Sequence, residues 1–209
     1  MATTAALSPI LSAFGLGIGL ASAPGPVQAV LLAESVRGGI ARGARALAGA
    51  HLTFVVLLVG LALGVSLAPP GALLLRVLEI AGGVFLVGLA LDGVRSRHRA
   101  RATADSRPGL PAAARGSLAI LLNPGGWLFL GAAASPLLAT AARLDGAGGS
   151  LAAAVALVTG AALGDAAVVL LGGIGLRRAA ERPRLWVMRT LAALLAGLGM
   201  ALVVRGVIG

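Results

Sequence analysis

The chain contains no cysteine, no tyrosine and no lysine, and only seven acidic residues. The missing cysteine excludes disulfides and thiol redox chemistry, and it removes the softest metal ligands. Aromatic residues make up 3% of the chain, so there is no aromatic cluster of the kind on which RNA bases stack. All seventeen basic residues are arginine, and the net charge is +10. In a soluble protein that balance would point to nucleic acid. Here the arginines lie in short loops between apolar runs, and no nucleic-acid partner is expected. The basic start of a signal peptide is missing too: Met1 to Ser8 carry no positive side chain. The first apolar run also exceeds a signal-peptide core, so it is read as a retained helix.

What the chain has in abundance is apolar length. Hydrophobic residues make up 58% of 209, and the mean hydropathy is +1.00. This is the composition of an all-α integral membrane protein in a single transmembrane domain, 1–209. Six spanning segments can be drawn. They are Leu7 to Glu34, Ala46 to Leu67, Ala72 to Val94, Gly116 to Ala141, Ser150 to Leu176 and Leu185 to Ile208. Pro69-Pro70 ends the second. The halves, 1–95 and 116–209, are joined by an arginine-rich linker, 96–115, in which Pro108 and Pro111 break any helix.

The arginines set orientation. Arg37, Arg42 and Arg45 follow segment one. Arg95, Arg97, Arg99, Arg101, Arg107 and Arg115 crowd the central linker and its edges. Arg177, Arg178, Arg182 and Arg184 follow segment five. Basic loops stay cytoplasmic, so a multi-pass protein of the plasma or inner membrane with both termini outside is expected. Three segments run one way and three the other, as an inverted 3+3 repeat requires.

Two spans are interrupted. Ser22-Ala-Pro-Gly-Pro-Val-Gln28 lies inside segment one. Each proline removes a backbone N–H and its ring meets the carbonyl four residues back, while Ala23 and Gly25 are pushed off helical angles by the prolines after them. Asn123-Pro-Gly-Gly126 interrupts segment four. Unpaired backbone cannot face lipid, so both breaks must be buried in protein or line a wet cavity. A pair of breaks in corresponding places of two halves marks the binding site of a repeat-built transporter. The N–H groups after Pro26 favour a carboxylate, the freed carbonyls favour an ammonium, and Gln28 can donate or accept. An amino acid matches both ends. The competing reading is a proline kink repaired by neighbouring helices.

Asp165 stands near the middle of segment five. Ionisable residues at membrane depth face cavities or partners, so Asp165 is a candidate for a substrate ammonium or a coupling proton. His51, inside segment two, is a candidate proton relay, with an interfacial histidine bonded to a carbonyl as the alternative. Glu34 with Arg37, Glu79 with Arg76 and Asp92 with Arg95 are spaced to pair along one helix face. Gly15 with Gly19, Gly60 with Gly64 and Gly160 with Gly164 have the spacing of close helix approach and indicate packing.

The stretch Ala23-Pro-Gly-Pro26, the helix running into Arg37-Gly38-Gly39, and Gly43 resemble the N-terminal signature of the LysE-type (RhtB-like) amino-acid translocators. Glu79 to Leu89 is similar to that family's third helix, Asn123-Pro124 to its Asn-Pro-Lys element, and Arg182 to Leu198 to the start of its last helix. The resemblance covers nearly the whole chain. It implies proton-driven export of amino acids or related small metabolites, as by an antiporter. It also implies a 3+3 inverted-repeat fold with broken helices one and four around the site, often as a homodimer. Taken with the residue reading above, the expected substrate site comprises Pro24, Gly25, Pro26, Gln28, Asn123, Pro124, Gly125 and Asp165, with Asp165 and His51 handling protons. Gly125 stands where the family has lysine, which removes a charge. No cofactor, metal site or enzymatic activity is expected, since the acids are scattered and no carboxylate, histidine or serine cluster is visible. Efflux of a divalent metal or another small solute, a channel, and a non-transporting scaffold or enzyme are the alternatives.

Overall fold

The computed structural model describes residues 2–23, 25–63, 72–99, 110–176 and 181–208, and among them there is helix and no strand. Pro24, the Pro69-Pro70 stop, Gly64, Arg177, Arg178 and linker residues 100–109 lie outside the described residues. So do the side chains of Asp92, Arg95, Arg97, His98, Arg99, Arg182 and Arg184. In chain order the helices are α1 (Ala2–Ser22), α2 (Pro26–Ala62), α3 (Ala72–Arg99), α4 (Ala112–Leu121), α5 (Pro124–Phe129), α6 (Ser135–Leu170) and α7 (Glu181–Ile208). A π-helical stretch, Leu130–Ala134, joins α5 to α6, and another, Leu171–Leu176, follows α6. The first lies just before Pro136, which has no N–H for the carbonyl four residues back, and a widened turn makes room for its ring. Among the described residues, three stretches are long and apolar enough to cross a membrane: Pro26–Ala62, Ala72–Leu91 and Pro124–Gly175.

Two of these exceed what a bilayer needs. A straight helix of 37 residues would run about 55 Å at 1.5 Å per residue, against an apolar slab of about 30 Å. Both are turned sharply. In α2 the turn is at Gly39, with φ 73° and ψ −171°. In α6 it is at Asp145 and Gly146, the glycine with φ 58°. Positive φ is open to glycine at little cost because it has no Cβ. The arms then pack on each other. Glu34 reaches Arg42 across the first turn, and the site of a Gly43 Cβ is taken by Ser35. Across the second turn, Gly149 abuts Ala141.

The helices cross where glycines remove the side chain. A Cβ on Gly17 of α1 would strike the Leu157 carbonyl, and one on Gly160 the Phe14 carbonyl. Gly49 of α2 and Gly116 of α4 stand in the same relation to Ala113 and Ala46. Gly83 of α3 and Gly199 of α7 lie against each other's carbonyls. Thus α1 crosses α6, α2 crosses α4, and α3 crosses α7, each on a reciprocal glycine pair. Between apolar helices in lipid, close backbone approach of this kind supplies the packing that hydrophobic burial supplies in water. Of the glycines with small-residue spacing, Gly160 and Gly164 meet α1, while Gly15, Gly19 and Gly60 have nothing within 4 Å.

One apolar core joins α1, the second arm of α2, the first π stretch and both arms of α6 through Ala13, Leu58, Ala134, Leu138 and Leu157. A second joins both arms of α2 to α3, α4, α6 and α7 through Leu31, Ala50, Leu86, Ala119, Val169 and Leu195. Just before the turn in α2 a buried carboxylate ties this helix to α4. Glu34 is 1% exposed and pairs with three guanidinium groups: Arg37 at 3.5 Å, Arg42, and Arg115 of α4 at 3.1 Å. Arg115 also donates to the Leu110 carbonyl. The expected Glu34–Arg37 pair is present, but as one limb of a buried cluster. Glu79 pairs with Arg205 of α7 at 3.5 Å and not with Arg76 on its own helix.

Gly49→Val and Gly116→Val are each expected to cost about 1–3 kcal/mol by overpacking a backbone contact. Gly15→Ala should stay within about 0.5 kcal/mol, and unfolding of detergent-purified protein in SDS checks both. Glu34→Gln leaves buried guanidinium charge without its carboxylate and should cost about 3–5 kcal/mol. A thermal midpoint equal to that of the parent chain would refute the cluster's structural role.

Candidate functional site

The first break is short. The helix α1 ends at Ser22, Gly25 is extended at φ −157°, and Pro26 opens α2. Proline suits that first helical position, because its missing N–H would have no partner there anyway. No side chain caps this helix start. The second break is built alike, with α4 ending at Leu121 and Pro124 opening α5, but it is closed differently. Asn123 caps the new helix, its Oδ1 accepting from the Gly125 N–H at 3.1 Å. The Gly126 and Trp127 amides donate to the Asn123 carbonyl. At the other edge, the Trp127 indole N–H donates to the Leu121 carbonyl at 2.8 Å. The second break therefore satisfies itself, while the first leaves a helix N-terminus open.

Both breaks border one cavity of about 300 Å³. Ala23, Gly25, Pro26, Val27 and Gln28 line it from the first break; Asn123, Gly125, Gly126 and Trp127 line it from the second. Asp165 of α6 and His51 of α2 complete its polar wall. Asp165 is buried, accepting from Gln28 Nε2 at 3.2 Å, with its other oxygen 3.7 Å from His51 Nε2. Gln28 and His51 lie at similar distances in sequence on either side of Gly39, so the turn in α2 brings both to one carboxylate. Both imidazole nitrogens of His51 are buried and make no hydrogen bond among the described residues.

Of the residues singled out in the sequence, Gly25, Pro26, Gln28, His51, Asn123, Gly125 and Asp165 line this cavity. Pro124 is buried at the start of α5 and is not part of the lining. Thr53 donates to the Gly49 carbonyl on its own helix, which makes it a packing hydroxyl. The apolar wall escaped the sequence reading: Leu20, Phe54, Leu57, Ile120, Phe129 and Leu130. Helical spacing carries part of that signal, since Phe54 and Leu57 follow His51 at three-residue steps and Ala161 precedes Asp165 by four. Phe54 is the middle of an aromatic row, its ring centre 6.5 Å from that of His51 and 6.5 Å from that of Phe129.

The family model for LysE type translocators matches residues 18–206. No curated protein and no solved structure matches the chain. The match takes in both breaks, the turn at Gly39 and Asp165. With nearly its whole length covered and its helices apolar enough to span a bilayer, this multi-pass membrane protein belongs to the LysE type translocator family of transporters.

Proposed function

We propose that the protein is a secondary exporter of amino acids or similar small zwitterions, coupled to protons, with its substrate held between the two helix breaks. The observation that carries this reading is that both breaks, a buried carboxylate and a buried imidazole border a single cavity. The open N-terminus of α2 presents its first amides and the positive end of its dipole, which suit a substrate carboxylate. Asp165 suits the ammonium. A proton and an ammonium compete for the same carboxylate, and that competition is the coupling: protonating Asp165 releases the substrate, and His51, 3.7 Å away, passes the proton on.

The architecture that goes with this reading is six spans in a 3+3 inverted repeat. Its spans are α1 with the first arm of α2, the second arm of α2, α3, then α4 through the first arm of α6, its second arm, and α7. Two features support it. The turns at Gly39 and Gly146 leave second arms, residues 40–62 and 147–170, that are long enough to cross a bilayer, and give the shorter first arms to the broken spans before them. Gly17 stands nine residues before Pro26, and Gly116 eight before Pro124, so each broken span carries its crossing glycine one short stretch ahead of its break. A twofold relation exchanges the α1–α6 crossing with the α4–α2 crossing and returns α3–α7 to itself. The arginine bias puts the Glu34 cluster on the cytoplasmic side of the cell membrane, with both termini outside.

In inside-out vesicles energised with a proton gradient, the parent chain should accumulate substrates from a mixture of labelled amino acids. Asp165→Asn should abolish accumulation, a loss of at least about 100-fold if the carboxylate carries both ammonium and proton. Its elution and helical circular dichroism should match the parent. Undiminished accumulation by the folded variant would overturn the assignment, and flux indifferent to the pH gradient would make the protein a channel.

A further inference from the structure

We propose that the substrate is an amino acid with an uncharged, apolar side chain, and that the cavity excludes basic and acidic ones. This inference rests on the exporter reading and deepens it.

The chain holds seventeen arginines, yet among the described residues none lines the cavity. Among the described residues, Asp165 is the one carboxylate on its wall, and His51 is the other titratable group. One carboxylate neutralises one ammonium. A lysine or arginine substrate would bring a second cation to membrane depth with no counter-charge, and an isolated charge there is costly. A glutamate or aspartate substrate would bring a second anion to a wall without an arginine.

The remaining polar side chains are gathered at the Asp165 end or are uncharged groups of the second break. Gln28 and His51 face the Asp165 carboxylate. Asn123 spends its oxygen on the Gly125 amide, and Trp127 spends its N–H on the Leu121 carbonyl. From His51 the aromatic row leads away through Phe54 to Phe129, flanked by Leu57, Ile120 and Leu130. The cavity is therefore polar at the Asp165 end and apolar at the Phe129 end, which is the polarity of a hydrophobic amino acid. Its volume, about 300 Å³, is at the small limit for ligand sites and fits one such molecule.

Titration calorimetry on the full chain in lipid nanodiscs, with leucine, phenylalanine, lysine and glutamate as probes, tests this. Leucine or phenylalanine should bind at least about 100-fold more tightly than lysine or glutamate, about 2.8 kcal/mol at 1.4 kcal/mol per factor of ten. Lysine or glutamate binding as tightly as leucine would overturn the inference and leave the exporter reading standing. Binding of none of the four would overturn both. Phe129→Ala, which enlarges the apolar end, should shift the leucine-to-tryptophan preference toward tryptophan by about 10-fold. An unchanged ratio in a variant that still binds would remove Phe129 from the side-chain end. The parent-chain panel decides the charge argument even if that variant fails to fold.

Discussion

A backbone amide or carbonyl has no water to turn to inside a bilayer, so every interruption of a helix there must be satisfied or sheltered by protein. The structure meets this demand in two ways. At Asn123 the break folds its own polar groups inward: the side-chain oxygen takes one amide, the backbone carbonyl takes the next two, and the Trp127 indole covers a carbonyl left behind by α4. At Gly25 no side chain caps the start of α2. The shelter there is the cavity itself, walled by the second break and by α6. The two interruptions are alike in sequence and unlike in what they leave available.

The same distinction separates the two buried carboxylates. Glu34 is surrounded by three guanidinium groups and holds α2 against α4. A carboxylate saturated in this way has nothing left to offer a ligand, and removing it leaves charge stranded. Asp165 is buried too, but among the described residues only an amide and an imidazole stand beside it, and that imidazole makes no hydrogen bond there. Burial alone does not mark a site. Burial with acceptor capacity to spare, next to open space, does so.

The breaks were legible because proline acts on the backbone directly: a missing N–H and a ring clash do not depend on neighbours. Asp165 was legible because a lone acid in an apolar run has no innocent explanation in composition. The bend between the first two drawn spans was bracketed, since Gly39 falls between Glu34 and Ala46, although nothing local distinguished it from Gly38 beside it. The walls were not legible. Leucine and phenylalanine facing the cavity look the same in sequence as those facing lipid, because both surroundings are apolar. Arg115 looked like one more loop charge until α4 carried it 81 residues away to Glu34. Similarly, spacing along one helix favoured Arg76 for Glu79, whereas the crossing of α3 and α7 supplied Arg205. Glycine spacing marked real packing at Gly160 and Gly164 but not at Gly15, Gly19 or Gly60, since it measures availability for close approach and leaves the partner unspecified.

The distribution of polar side chains carries the argument one step further. The sequence contains one glutamine, Gln28, one asparagine, Asn123, and two histidines. The glutamine, the asparagine and His51 all border the same 300 Å³. Elsewhere in the described apolar helices, hydroxyls such as those of Ser35, Thr53 and Thr159 are returned to the carbonyl four residues back, where they cost the membrane nothing. An amide or imidazole cannot be disposed of so cheaply by its own helix, and in lipid each needs a partner from another element. Gln28 finds one in Asp165; Asn123 finds one in the backbone it bends; His51 has none beyond the facing carboxylate. A fold that dispenses with such side chains almost everywhere, and concentrates them where its helices come apart, supports the proposal that a polar ligand occupies that space.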